Sequence, residues 1–225
     1  MIRYLRYFTY LALNWNVPIA YRIIRSEISG EKKYGIKTTG ADELKDLDAK
    51  GVDTTHATIY MPVSYELLDK IFQQIPEGGQ HFLDIGCGRG RAMCVAAHKG
   101  FSKATGIDFS KKLCETAERN CTLTKSKIPA FTYSISNNDA FYYEIDEDVD
   151  LIFMFNPFDE VIMSGVVRQV FKSLAKRPRK MSVIYVNPLH KELFLHNGFK
   201  EIYYSKEMKY LEVAILNKEV TSSSG

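Results

Sequence analysis

The chain has 225 residues, 45% of them hydrophobic, with 30 basic side chains against 27 acidic ones and a formal net charge of +3. That size and composition fit one α/β domain with a short appendage and exclude a repeat array or a low-complexity chain, while so mild a charge is neutral on nucleic acid. The four cysteines, Cys87, Cys94, Cys114 and Cys121, form no C-x-x-C pair and have no histidine at ligand spacing, so no metal site is expected and a reduced, cytoplasmic setting fits.

In chain order, residues 1–28 come first, with Ile2, Leu5, Phe8, Ala12, Trp15, Ile19 and Ile23 at near-helical spacing. Pro18 should divide them into two short helices. Asn14, Asn16 and Pro18 interrupt the apolar part, which is too short for a transmembrane span, and no small-residue site marks a cleaved signal. Arg3, Arg6, Arg22 and Arg25 beside tyrosines and Trp15 suit peripheral membrane contact through residues 1–28. A helix packed on the domain or on a second subunit is the plainer alternative. Residues 30–57 are polar and predicted loop-rich, with Thr38-Thr39-Gly40 and Thr54-Thr55-His56 as candidate lid segments. Tyr60-Met61-Pro62-Val63-Ser64 then opens a helix.

The core begins at residues 81–85, a short apolar strand that contains Asp84 and turns through Gly86-Cys87-Gly88-Arg89-Gly90 into a helix over 89–99. Glycines permit a tight turn and close backbone approach to a ligand, and a helix N-terminus favours electron-rich groups. The spacing is G-x-G-x-G, not the G-x-G-x-x-G of dinucleotide-binding turns. Asp84 also suits a cofactor with a cationic amine and ribose hydroxyls better than one carrying phosphates. About twenty residues on, a second strand over 103–107 ends in Asp108-Phe109, where a ribose ligand belongs. Ser110 is the expected N-cap of the next helix, over 111–124, which leaves Asp108 for the cofactor.

A third strand over 130–135 leads to Asn138-Asp139-Ala140, which is also an ordinary turn composition. A fourth, over 149–155, is apolar throughout, as befits burial on both faces, and runs into Asn156-Pro157-Phe158. Helices over 160–175 and 189–197 flank a fifth strand at 181–186 that closes on Asn187-Pro188. Strands over 199–205 and 208–216 form a final antiparallel hairpin with its turn at Ser205-Lys206-Glu207. The acidic run over 144–148 and the basic run over 176–180 fall at the sheet edge opposite the site and are predicted as solvated loops, so a nucleic-acid groove is not supported.

Strand–helix alternation predicts a Rossmann-like three-layer α/β/α fold with a mostly parallel seven-stranded sheet. The glycine turn resembles motif I of the class I, seven-strand S-adenosylmethionine-dependent methyltransferases, and the element order resembles that family over roughly residues 58–216. The resemblance implies that Tyr60, Asp84, Gly86, Cys87, Gly88 and Gly90 line the cofactor pocket. It assigns Asp108 to the ribose, Phe109 to the adenine face, and Asp139 and Ala140 to the adenine edge. Asn156, Pro157 and Phe158 are placed at the transferable methyl, where amino-methylating branches carry Asn/Asp-Pro-Pro-aromatic; one proline of that motif is missing here. The Tyr-x-Pro-x-Ser segment is similar to the pre-motif segment of some protein-lysine methyltransferases of this fold.

The expected domains are therefore a helical extension with a lid (1–57), a methyltransferase domain (58–217) and a tail (218–225). The expected cofactor is S-adenosylmethionine; the acceptor is left open, with an amine on a small molecule or a protein lysine as one candidate beside oxygen and carbon acceptors. Asn156 and the Pro157 carbonyl would orient that acceptor against Phe158, with His56, His190, Asp159 and Glu160 as candidate proton acceptors. The alternatives are a non-catalytic cofactor-binding or scaffold domain of the same fold and, less favoured by the glycine spacing, an NAD-type oxidoreductase.

Overall fold

A computed structural model describes residues 2–14, 16–40, 62–75, 80–155, 158–207 and 211–220. Four short apolar segments form the centre of a sheet: β1 (His81–Ile85), β2 (Lys103–Asp108), β4 (Leu151–Phe155) and β5 (Met181–Val186). With β3 (Thr132–Asn137), β6 (Lys200–Glu207) and β7 (Leu211–Lys218), the order is β3-β2-β1-β4-β5-β7-β6. β1 to β5 pair in parallel, and β7 enters antiparallel between β5 and β6.

Side chains alternate across this sheet and build two cores. Phe82, Leu151, Phe153, Ile184, Val186, Val213 and Ile215 point to one face, where they meet α3 (Tyr65–Phe72), α4 (Arg91–His98) and α5 (Lys111–Lys127). Leu83, Ile85, Ile152, Met154, Val183, Ala214 and Leu216 point to the other, against α6 (Glu160–Lys176) and α7 (Glu192–Leu195). A sheet buried on both faces needs the near-continuous apolar strands seen here. Phe82 lies against Phe72, Phe101 and Phe153 at ring separations of 5.7–6.2 Å. Each such pair adds about 0.5–1.5 kcal/mol beyond the area it buries.

Two further helices precede this body, α1 (Ile2–Asn14) and α2 (Val17–Tyr34). Pro18 divides them as expected, because its ring is tolerated in a first helical turn; Asn16 caps α2 by accepting from the Ile19 amide at 2.9 Å. Trp15 lies outside the described residues. α2 continues to Tyr34, so residues 30–34 are helix where a loop was expected. The reason is packing: Gly30 lets the Tyr65 ring approach so closely that a Cβ there would sit 2.2 Å from it.

Three other expectations are corrected. The hairpin does not turn at Ser205-Lys206-Glu207; those residues pair with Val213, Glu212 and Leu211, and the connection falls at 208–210, outside the described residues. Polar residues hold that strand because it lies at the sheet edge, and Lys206 pairs with Glu212 at 2.9 Å. The helix expected over 189–197 is a four-residue turn of helix, α7, after Pro188 and an exposed Leu189.

The charged runs at the far edge are also not simply solvated. Arg179 donates to the carbonyls of Val149 (2.6 Å), Ser173 (3.2 Å) and Asp146 (3.3 Å), clamping the loop before β4 to the end of α6. Asp148 bonds Lys103 (2.8 Å) and the buried His81 ring (2.7 Å). Burial works to raise the Asp148 pKa, but these two partners hold it down at about 2.

Candidate functional site

The glycine turn leaves β1 at the carboxyl edge of the parallel strands, where ligands of this architecture bind. Gly86, Gly88 and Gly90 have φ of 79°, 53° and 75°, values that side chains seldom adopt. Gly90, the residue before α4, also packs so closely on α5 that a Cβ would lie 3.1 Å from that of Ala117. The turn is strapped to β2: the Gly86 and Cys87 amides both donate to the Ile107 carbonyl at 2.9 Å. The Cys87 thiol is buried, and burial pushes its pKa well up, so it lies beneath the turn as a small hydrophobe.

Asp108 ends β2 and faces this turn. Its carboxylate accepts from the Gly88 amide (2.8 Å) and the Ser110 amide (2.9 Å), one on each oxygen. A carboxylate offers about four lone-pair sites, so two remain for further donors. Ser110 caps α5 as expected, its side chain accepting from the Leu113 amide at 3.4 Å. The Asp108 carbonyl is held by Asn137 Nδ2 (3.0 Å) and the Asn138 amide (3.1 Å), which fixes the backbone entering the half-buried Phe109.

Asp84, on β1, is buried, and no hydrogen-bond donor meets its carboxyl among the described residues. Burial, then the Asp108 charge, pushes its pKa well above the ordinary carboxylate range. Burial likewise pushes Asp108 up to about 6, against the pull of its two amide donors. Two coupled carboxyls out of water ionise together only when a cation or strong donors accompany them. A ligand carrying both positive charge and hydroxyl donors would match the pair.

At the end of β3, Asp139 is exposed and accepts from the Phe141 amide at 2.8 Å, while its own amide donates to Asn138 Oδ1 at 2.8 Å. The Asn-Asn-Asp turn thus bonds its own backbone, and Ala140 is buried behind it. Asn156 and Pro157 lie outside the described residues, as do Tyr60, His56 and the Thr54-Thr55 segment. Phe158 is half-buried against the α6 core. Asp159 caps α6 by accepting from the Ile162 amide at 3.0 Å, a helix-starting job that its sequence reading as proton acceptor had missed. Glu160 is exposed in the first turn of α6, and His190 is half-buried after β5. At the second Asn-Pro step, Asn187 takes φ 51° and exchanges two hydrogen bonds with Glu212 (2.7 and 3.0 Å), a structural closure of β5.

A buried network that sequence reasoning missed seats the N-terminal extension on the turn. Arg91, the first residue of α4, forms a double ion pair with Glu27 of α2 at 2.5 and 2.8 Å, both side chains buried. It also donates to Thr38 Oγ1 (2.8 Å) and the Val63 carbonyl (2.6 Å), and stacks over the Tyr65 ring at 4.0 Å. Arg89, inside the turn, donates to the Thr39 carbonyl at 2.5 Å. Glu31 accepts from the Thr38 and Thr39 amides at 2.7 Å each, and Asn120 joins the Lys37 amide to the Arg89 carbonyl. Thr38-Thr39-Gly40 is thus a seated strap on the glycine turn. Glu27 and Glu31, two acids one helical turn apart in a basic, apolar stretch, were the signal for it. Ser64 caps α3 by accepting from the Leu67 amide at 3.2 Å, the helix-starting role of the last residue of the Tyr-x-Pro-x-Ser segment.

Comparison with known proteins agrees with this geometry. A methyltransferase domain family model matches residues 82–179, from β1 to the loop before β5. A search of curated proteins by sequence finds no match. Solved structures share the fold at low identity. A SAM-dependent methyltransferase from Aquifex aeolicus is 13% identical over 78% of this chain and 98% of that one, with a TM-score of 0.54. An RNA methyltransferase from Salinibacter ruber, in complex with S-adenosyl-L-homocysteine, is 12% identical over 73% and 98%, with a TM-score of 0.53. A putative O-methyltransferase from Nostoc punctiforme is 17% identical over 68% and 56%, with a TM-score of 0.55. Residues 82–179 thus match a methyltransferase domain, and with its glycine turn and β3-β2-β1-β4-β5-β7-β6 sheet the chain has the Rossmann-like fold of S-adenosylmethionine-dependent methyltransferases.

Proposed function

We propose that the chain is an enzyme that binds S-adenosylmethionine at the Asp84–Asp108 turn and transfers its methyl group to an amine. The observation that carries the cofactor reading is Asp84, a buried carboxyl without a described donor beside a second carboxyl that has two lone-pair sites left. An amino-acid ammonium fits the first and a ribose diol the second. Bound S-adenosylmethionine supplies a methyl on a positively charged sulfur that leaves neutral when an acceptor lone pair displaces it.

The chain's own residues then have three tasks. The strapped turn holds the backbone of residues 86–90 in one shape, so little ordering remains to be done on binding. Asp108 orients the ribose, and Phe109 offers its ring to the adenine. Asn156 and the Pro157 carbonyl accept from the acceptor amine and align its lone pair, with Phe158 as the apolar wall. The neighbours include an RNA methyltransferase and a putative O-methyltransferase, so the shared fold by itself selects no acceptor. Asn-Pro-Phe, with one proline fewer than the nucleobase-modifying pattern, favours a small-molecule amine or a protein lysine.

Titration calorimetry with S-adenosylmethionine, with NAD as the comparison, tests the cofactor. Binding of the first alone supports the proposal, and Asp84→Asn should weaken it by about tenfold or more, since a charge-assisted hydrogen bond is worth about 1.5–3 kcal/mol. No binding by a folded protein refutes it. Transfer of labelled methyl to amines and lysine peptides, against an Asn156→Ala control, tests the acceptor.

The affinity should also depend on pH. Asp108 binds its proton up to about pH 6 in the unliganded fold, and a cationic, hydroxyl-donating ligand prefers the ionised form. Affinity should therefore rise from pH 5 to pH 7, with proton uptake by buffer visible in the calorimetric heat. Stability of the unliganded protein runs the other way. A carboxyl whose folded pKa is raised stabilises fully below its unfolded value, and that contribution is lost as pH rises through about 6.

A further inference from the structure

We infer that α1 and α2 form a docking surface for an anionic lipid bilayer. α1 turns Tyr7 and Leu11 inward against Ala20 of α2, in a small core separate from the two that flank the sheet. Its opposite face, formed by Ile2, Leu5, Thr9 and Leu13 at helical spacing, is turned to solvent, with Leu5 66% and Leu13 81% exposed. α2 repeats the pattern with Val17, Tyr21 and Ile28 on one outward face. α1 packs on α2, and α2 on α3 and α4, so the outer faces are left to solvent.

The exposed charges on these helices have one sign. Among the described residues of α1 and α2, every exposed charged side chain is basic: Arg6, Arg22, Arg25 and Lys32, with Lys33 turned to Asp69 of α3 at 2.7 Å. Their two acids, Glu27 and Glu31, are buried and already paired with Arg91 and Arg3. Exposed aliphatic and tyrosine side chains among cations suit an interface of acyl chains below anionic headgroups. A second copy docked by two-fold symmetry would set this cationic face against itself, which disfavours self-association. No helix of the described residues is long and apolar enough to cross a membrane, so the contact is peripheral.

The inference stands apart from the methyl-transfer reading and is tested on the full chain. Co-sedimentation compares vesicles of phosphatidylcholine with vesicles that also contain phosphatidylserine. Binding should require the anionic lipid and weaken by about tenfold or more when salt is raised from low to several hundred millimolar. The double variant Leu5→Glu/Leu13→Glu should lose binding while keeping its circular dichroism and melting curve, because both side chains are outward. Arg6→Glu/Arg25→Glu should lose it by charge alone. Absence of binding to anionic vesicles, or equal binding to both compositions, overturns the inference. So does a dimer in light scattering that the leucine variant disperses, since the face would then belong to a second copy.

Discussion

An Asp108→Ala variant is expected to bind S-adenosylmethionine about a hundredfold more weakly than the parent protein. In the proposed binding mode the carboxylate offers its two unused lone-pair sites to a ribose diol, and two charge-assisted hydrogen bonds at about 1.5 kcal/mol each give about 3 kcal/mol, two decades of affinity. Part of the loss is indirect. Asp108 also receives the Gly88 and Ser110 amides, so alanine frees the turn as well as the ribose. Asp108→Asn separates the two effects: it keeps one carbonyl acceptor and should lose about tenfold. Calorimetry reads the affinity, and melting of the unliganded variants shows whether the turn has loosened. Unchanged binding by the alanine variant would remove the ribose from this position.

The second large effect belongs to a residue outside the cofactor motifs. Arg91→Ala should destabilise the fold by about 3–5 kcal/mol, because it leaves the buried Glu27 carboxylate without its cation. Domain stabilities are about 5–15 kcal/mol, so a large part of the total is at stake. Urea unfolding measures the change, with the slope checked for constancy so that it reports stability and not a looser native state. Glu27→Leu combined with Arg91→Met should recover much of the loss, since replacing both charges removes the orphaned one. Recovery should be incomplete, because Arg91 also serves Thr38 and the Val63 carbonyl. Cofactor affinity should fall in the single variant, since the strap it anchors rests on Arg89 of the glycine turn. Equal stability of Arg91→Ala and the parent would mean that the pair is solvated in solution.

How much was legible in the sequence follows from which interactions are local. The strand at 81–85 is readable because Phe82, Leu83 and Ile85 supply the apolar side chains that a two-faced sheet must bury. The Ser110 cap was readable because a cap is a bond between residues three apart. The hairpin turn was misplaced because Ser205, Lys206 and Glu207 have turn composition. Their strand state comes from pairing with residues 211–213, which a local reading does not see. Residues 30–34 read as loop from a glycine and polar neighbours. In the fold they continue α2 and pack against the Tyr65 ring, more than thirty positions away.

The site divides in the same way. Sequence by itself determined the fold class, the glycine turn, and Asp84 and Asp108 as the carboxylates beside it, because spacing along one strand–turn–helix unit places them. Only the tertiary structure decided that Asp84 lies buried with no described donor and that Asp108 keeps two lone-pair sites. It alone brought Glu27 to Arg91 across 64 positions and laid Thr38 and Thr39 on the glycine turn. The physical reason is that a buried charge must find its partner wherever the fold supplies one. That partner is chosen by packing, and nothing in the local chain announces it.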